Sequence, residues 1–257
     1  QGINILFNVF NGPVINAARG LATQVQAVVI KFSHNFYVAV QPQITKSYAS
    51  NNVNESHDLV LRSSRLAFLL LTAMIVPLIT ETEFVLQLWL KEVPAHTATF
   101  VQIILICSLI DSFSSPLVYL MLATGKIKRY QIVVGLFNLL NFPVAWFILY
   151  CGGSPELAQF SIIFFAIGAL FLRVSMLRLM TQFPVREFFL STVMRCLVIM
   201  LICISISYII ASFCEIGLLS FLFNLGVTEL SLCSLVYFVG VNVGEREFIK
   251  RKITVIL

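Results

Sequence analysis

One stretch of the sequence, residues 13–38, combines hydrogen-bonding and cationic side chains with an otherwise apolar composition. At about 100° per residue in a helix, the polar residues fall on one face along the whole stretch. This face comprises Asn16, Arg19, Thr23, Gln26 and His34, with Lys31 at its border. Side chains of these types bind water or a polar ligand, so the face predicts the lining of a water-filled cavity. The alternative is a helix–helix interface in which Arg19 and Lys31 extend to the head-group region.

Two carboxylates, Asp111 and Glu229, fall near the middle of other apolar stretches. A carboxylate inside a membrane span indicates a proton or cation site, or the counter-ion of a buried arginine. The other interpretation, which the sequence leaves equally open for Asp111, is a neutral side chain hydrogen-bonded to neighbouring serines. These serines are Ser112, Ser114 and Ser115. For Glu229 we favour the neutral, structural role, because nothing else in its stretch is strongly polar.

No arrangement typical of an enzyme accompanies these residues. The three histidines, His34, His57 and His96, lie far apart in the sequence. Motifs of zinc proteases, serine hydrolases and nucleotide-binding loops are absent from the sequence. We therefore expect a protein that is not an enzyme and has neither a cofactor nor a metal site.

The composition places these residues in a membrane. Lys and Arg number 17 and Asp and Glu 12, so charged residues are 11% of the 257-residue chain, against about 25% in soluble domains. Hydrophobic residues make up 59% and the mean hydropathy is +0.94. A soluble enzyme or a nucleic-acid-binding domain is excluded despite the net charge of +5, because a soluble fold cannot bury so much apolar surface.

Apolar stretches predict an all-α, polytopic membrane bundle formed by residues 1–257 as a single domain. A spanning helix needs about 20 mostly apolar residues, and the runs lack the strict alternation of barrel strands. A partial first span ends in a tight turn at Asn11-Gly12-Pro13. The seven full spans are 13–38, 64–80, 97–122, 130–150, 157–178, 190–211 and 217–241.

The basic residues predict the orientation of these spans. Every second connection is basic, and together these connections contain 13 of the 17 Lys and Arg residues. They are 39–65, the turn after Gly125, 173–187 and the C-terminal tail. The alternate connections contain Lys91 as their single cation, against five glutamates. Because short basic loops stay in the cytoplasm, we expect a multi-pass protein with a cytoplasmic C-terminus.

Four segments of the chain resemble a known family. They read FNVFNGPVINAARGLATQV (7–25), NFYVAVQPQITKSYA (35–49), FVLQLWLKEVP (84–94) and LATGKIKRYQIVVG (122–135). In content and spacing these segments are similar to the Wzx-type flippases of polysaccharide biosynthesis. That family shares a superfamily with the multidrug and toxic-compound extrusion (MATE) transporters, and the resemblance extends over essentially the whole chain.

The resemblance implies that this chain is the C-terminal, MATE-like lobe of a two-lobe transporter whose N-terminal lobe is missing here. Such proteins move an undecaprenyl-pyrophosphate-linked oligosaccharide, an O-antigen or capsular repeat unit, across the bacterial cytoplasmic membrane by alternating access. Arg19 would then meet the pyrophosphate or acidic sugars, with Asn16, Gln26 and His34 near sugar hydroxyls. Asp111 is the candidate site for a coupling proton or sodium ion. The expected partners are therefore this lipid-linked substrate and the bilayer, and no nucleic acid.

Two other functions stay open at this point. A MATE-like, cation-coupled multidrug exporter would have a net acidic and aromatic cavity, whereas residues 13–38 contain Arg19 and Lys31 and no acid. A membrane scaffold without a transport path would leave cysteines placed at positions 16, 23 and 26 inaccessible to water. Labelling of those positions separates the scaffold from both kinds of transporter.

Overall fold

The computed structural model describes residues 2–213 and 217–240, which form helices joined by short turns and contain no strand. The helices are α1 (Gly2–Ala49), α2 (Val53–Thr80), α3 (Thr82–Trp89), α4 (Thr97–Ala123), α5 (Ile127–Leu139), α6 (Asn141–Tyr150), α7 (Pro155–Thr181), α8 (Val185–Glu187), α9 (Met194–Phe213) and α10 (Leu218–Leu235). A π-helical turn, Phe188–Val193, joins α8 to α9, and a second one, Val236–Gly240, follows α10. The predicted all-α class is confirmed for these residues.

Six helical segments are long and apolar enough to cross a membrane, as expected of a polytopic membrane protein. They are Val53–Thr80, Thr97–Ala123, Ile127–Tyr150, Pro155–Thr181, Val185–Phe213 and Leu218–Phe238, and each overlaps one predicted span. The remaining predicted span, 13–38, is helical throughout and follows the bend described below, but its polar face keeps it out of this set. The last predicted span ended at residue 241. That residue and the basic C-terminal tail lie outside the described residues.

Helix α4 occupies the centre of the bundle. It packs against α1, α2 and α7, while α2 also contacts α9 and α10, and α7 also contacts α5 and α6. In the most apolar 18-residue stretch of α2 and of α4, 67% of the residues are buried, whereas the share is 17–28% in the other four spans. The rings of Phe68 and Phe113 stack between α2 and α4 with centroids 4.4 Å apart. The outer helices expose large apolar side chains, which lipid tails can cover.

Helix α1 bends sharply at Gly12, where the sequence predicts a turn. Gly12 has φ +81 and ψ −178, a conformation essentially restricted to glycine. The bend brings residues 2–11, the first arm of α1, back against residues 13–49, the second arm. Arg19 Nη1 donates a hydrogen bond to Asn4 Oδ1 at 2.5 Å. In a straight helix, 15 residues would separate these two positions by about 22 Å.

Proline and glycine also determine where other helices end. Pro143 lacks the N–H that would bond to the carbonyl of Leu139, and α5 ends at Leu139. Gly125, at φ +71, forms the turn between α4 and α5.

Helix α6 is attached to α7 by a hydrogen bond, in which Ser161 Oγ donates to Asn141 Oδ1 at 2.6 Å. Interhelical hydrogen bonds of this kind are common between membrane helices.

Candidate functional site

A polar cavity of about 200 Å³ lies between α1 and α4. Each helix contributes five residues, and successive ones are one, three or four positions apart, so each helix presents a single stripe to the cavity. The lining comprises Gln26, Ile30, Ser33, His34 and Tyr37 of α1, and Ser108, Asp111, Ser112, Ser115 and Tyr119 of α4. All of these residues except Ile30 are polar, although the core around them is apolar. We call this cavity the α1–α4 pocket.

Hydroxyl groups in the α1–α4 pocket bond mainly to backbone carbonyls. Ser108 Oγ donates to the carbonyl of Ile104 at 2.9 Å, and Ser112 Oγ donates to that of Leu109 at 2.6 Å. Each serine oxygen can still accept a hydrogen bond from something in the pocket. Tyr37 Oη donates to the backbone carbonyl of Ser112 at 3.0 Å, which fastens α1 to α4.

Four polar side chains of the pocket have no hydrogen-bond partner among the described residues. They are Gln26, His34, Asp111 and Tyr119. An amide, an imidazole, a carboxylate and a phenol are therefore available together to water, an ion or a hydroxyl-bearing ligand. Such a set can bind a polar group by hydrogen bonds.

Asp111 also faces a cation behind the pocket wall. Arg173 Nη1 of α7 lies 3.8 Å from Asp111 Oδ1, close enough for an ion pair but too far for a hydrogen bond. The Arg173 side chain is 14% exposed and that of Asp111 is 56% exposed. Nε and Nη1 of Arg173 are buried without a hydrogen-bond acceptor among the described residues. Of the interpretations open for Asp111, this geometry fits the counter-ion of a buried arginine.

The structure divides the predicted polar face of α1 into two parts. Gln26 and His34 line the α1–α4 pocket, but Arg19 lies seven residues before Gln26, about 10 Å along the helix. The Arg19 guanidinium bonds to Asn4, and its carbon lies 5.5 Å from the centroid of the Phe7 ring. Arg19 therefore connects the two arms of α1 and does not line the pocket.

Three further residues predicted for the cavity also lie outside the α1–α4 pocket. The Thr23 hydroxyl donates to the carbonyl of Gly20 at 2.7 Å. Asn16 is half-buried and Lys31 is exposed. Glu229 of α10, for which a structural role is expected, is half-buried and likewise does not line the pocket.

The sequence does not single out the two tyrosines of the pocket. Tyr37 follows Gln26 by eleven residues and Tyr119 follows Asp111 by eight, spacings that return to the same face of a helix. That phase relation is the signal that could have identified them. An aromatic residue in an apolar span is otherwise typical of core packing.

The sequence gives two places for Arg173, because both the predicted span 157–178 and the basic connection 173–187 contain it. The charge pattern assigns Arg173 to the basic connection 173–187. Helix α7 instead continues to Thr181, and the N–H of the left-handed Gln182 bonds to the carbonyl of Arg178. Arg173 thus lies inside α7, two turns before its end, where it can reach α4.

No group of three or more His, Cys, Asp or Glu side chains that could hold a metal ion occurs within residues 2–213 and 217–240. Comparisons of the chain with protein-family models, with curated proteins and with solved structures found no match. The interpretation of the α1–α4 pocket therefore depends on its own geometry and on the sequence resemblance.

Proposed function

We propose that this chain is one lobe of a transporter that flips an undecaprenyl-pyrophosphate-linked oligosaccharide across the bacterial cytoplasmic membrane by alternating access. The resemblance of the four sequence segments and the polar pocket within an apolar bundle both support this proposal. The α1–α4 pocket is then a subsite for sugar hydroxyls. The rest of the path lies between this lobe and a second one, and the C-terminus is cytoplasmic.

The observation that carries the proposal is a strip of exposed polar side chains on α1 beside the pocket. Gln24, Lys31, His34 and Asn35 are all exposed within the part of the chain that the structure describes. In lipid, one such cation near the bilayer centre would cost at least about 2.5–3.5 kcal/mol. An aqueous path along the strip removes this cost and gives the pocket an entrance.

The size of the pocket favours one small polar group at a time. Its volume of about 200 Å³ is below the roughly 300–1,000 Å³ of sites that enclose drug-sized ligands. It corresponds to roughly seven water molecules at about 30 Å³ each. A few sugar hydroxyls or a hydrated ion match this volume, so the remainder of an oligosaccharide would lie along the exposed strip of α1.

Asp111 is the coupling residue of this proposal. Its carboxylate faces the pocket, and Arg173 compensates its charge from behind. A proton or a sodium ion that reaches Asp111 from the pocket competes with Arg173 for the carboxylate. The ion pair then weakens, and with it one attachment of α7 to α4, which links ion binding to helix movement.

One observation favours a second candidate, a MATE-like exporter of cationic drugs. The pocket contains a carboxylate beside the rings of Tyr37 and Tyr119, while the cations Arg19 and Lys31 lie outside it. Against this candidate stand the small volume and the charge of Arg173, which compensates the single acid. A non-transporting scaffold ranks third, because it gives no reason for the exposed polar strip.

Two glutamine substitutions test the flippase proposal in a strain that lacks the gene for this protein. Gln26→Leu removes an amide from the pocket and should reduce surface glycan about tenfold, the effect of losing one hydrogen bond to a substrate. Gln131→Leu makes the same change at an exposed site of α5, outside the pocket, and should leave glycan unchanged. Immunoblots check that protein amounts are equal.

Two outcomes of this comparison contradict the flippase proposal. The first is normal surface glycan with Gln26→Leu at normal protein amount. The second is normal glycan with increased sensitivity to cationic drugs, which identifies the exporter instead.

A further inference from the structure

We propose that the turn between α4 and α5 binds the head group of an anionic phospholipid from the surrounding bilayer. The site is a second cavity, of about 660 Å³, between this turn and the end of α7. Its cations are Lys126, Lys128 and Arg129, and its apolar wall includes Met176, Leu179 and Met180. We call it the basic pocket. This proposal goes beyond the transport function and does not depend on it.

The charges of the basic pocket specify an anionic ligand. Lys126, Lys128 and Arg129 are exposed, no acidic residue lines the pocket, and the three side chains form no ion pair or hydrogen bond with the described residues. Three cations, one in the α4–α5 turn and two in the first turn of α5, bring several N–H donors to the oxygens of a single phosphate. Of two neighbouring cavities at this end of α7, one is lined by Asp58 and Glu187 and by no Lys or Arg, and the other by Arg178, Arg186 and Glu187.

The apolar wall specifies that the anion carries hydrocarbon. Leu179, in the last turn of α7, is 87% exposed, and Met176 and Met180 lie beside it. Free phosphate on the three cations would leave this leucine uncovered. A phospholipid covers it with its glycerol backbone and first acyl carbons, and burial of apolar surface then adds to the attraction between charges.

The position of the basic pocket corresponds to the membrane surface. Helix α4 ends at Ala123, α5 begins at Ile127 and α7 ends at Thr181, and all three belong to segments long and apolar enough to span a membrane. A cavity at the ends of spanning helices lies at the depth of the head groups. Its volume of about 660 Å³ also lies within the range of ligand sites.

Lipid titrations of the purified chain in detergent, followed by native mass spectrometry, test this site. Each cation contributes about fivefold to the affinity for an anionic head group. With three cations, the wild type should therefore bind phosphatidylglycerol about a hundredfold more tightly than phosphatidylcholine. The triple variant Lys126→Gln, Lys128→Gln, Arg129→Gln should lose this preference.

A matched triple variant controls for net charge. Lys46→Gln, Arg178→Gln and Arg186→Gln remove the same charge from exposed positions that do not line the basic pocket. This variant should keep the preference for phosphatidylglycerol. Equal loss in the two triple variants would show only diffuse attraction and would overturn the site, as would a preference that survives in the first triple variant.

The apolar wall has its own test, which separates lipid from free phosphate. Leu179→Gln should weaken phosphatidylglycerol binding about fivefold, because the acyl chain loses an apolar contact, and should not change binding of inorganic phosphate. Inorganic phosphate that displaces phosphatidylglycerol at equal concentration would overturn the assignment to a lipid. Unfolding temperatures equal to that of the wild type establish that the variants are folded.

Discussion

The ion pair between Asp111 and Arg173 permits a quantitative prediction, because its two members differ in exposure. At a separation of 3.8 Å, two unit charges attract by about 1 kcal/mol in water and by about 4 kcal/mol at an effective dielectric constant of 20. The Asp111 side chain is 56% exposed, whereas that of Arg173 is 14% exposed. Loss of the carboxylate leaves a buried cation without its anion, but loss of the cation leaves a carboxylate that water can reach.

We therefore expect Asp111→Asn to lower the free energy of unfolding by about 1–3 kcal/mol, between the aqueous and the buried limits. Arg173→Met keeps most of the apolar stem and should lower it by less than about 1 kcal/mol. The double variant should resemble Arg173→Met alone, because no unpaired cation remains. The resulting coupling energy is at least about 1 kcal/mol.

Unfolding of the purified protein by increasing fractions of sodium dodecyl sulfate, followed by circular dichroism, measures these free energies. Glu229→Gln is the matched control, since it neutralises a half-buried carboxylate outside the pocket, and should change stability by less than about 0.5 kcal/mol. A loss with Arg173→Met as large as that with Asp111→Asn would refute the prediction. So would additive effects of the two single changes.

Two further predictions concern the bend of α1 and a buried amide. Gly12→Ala should destabilise the protein by about 1–3 kcal/mol, because φ +81 with ψ −178 suits glycine alone. Gly20→Ala is the control, at a helical site with open space around the added Cβ. It should stabilise the protein by about 0.5–1 kcal/mol in the same titration with sodium dodecyl sulfate. Asn224 is fully buried, accepts from Ser207 Oγ at 2.9 Å and donates to Glu81 Oε1 at 3.0 Å. Asn224→Leu should therefore lower the free energy of unfolding by about 2–4 kcal/mol, and a loss below about 1 kcal/mol in thermal unfolding would contradict this role.

The positions of the membrane helices could be predicted from the sequence, because length and apolar content alone decide whether a segment can span a bilayer. Glycine and proline also indicate where some helices end or bend, because these two residues change the backbone conformation locally. Gly12 indicates the bend of α1, and it has positive φ in the structure. Arg173 shows the limit: the predicted span 157–178 and the basic connection 173–187 both contain it, and the structure places it inside α7, which extends to Thr181. Helix ends are less clear in a sequence than helix centres.

The composition of the candidate site could be predicted only in part. Gln26, His34 and Asp111 stand out because they are polar within otherwise apolar stretches. Which of them meet depends on the packing of α1 against α4, and periodicity identifies a face of a helix without identifying the neighbour that covers it. Arg19 shares the polar face with Gln26, yet the bend in α1 covers it with the first arm.

Water access to the polar face of α1 is the most direct test of the transport proposal. Single cysteines at Gln26 and His34, in a background without other cysteines, are treated in membrane vesicles with a membrane-impermeant maleimide. We predict labelling at both positions at least about tenfold faster than at Leu201, an exposed apolar position of α9 away from the polar strip, because the reactive thiolate forms only where water is present. Labelling at Leu201 as fast as at the other two positions, or no labelling at Gln26 and His34 while a cysteine at Ser50 in the α1–α2 turn reacts, would contradict a water-filled path beside α1.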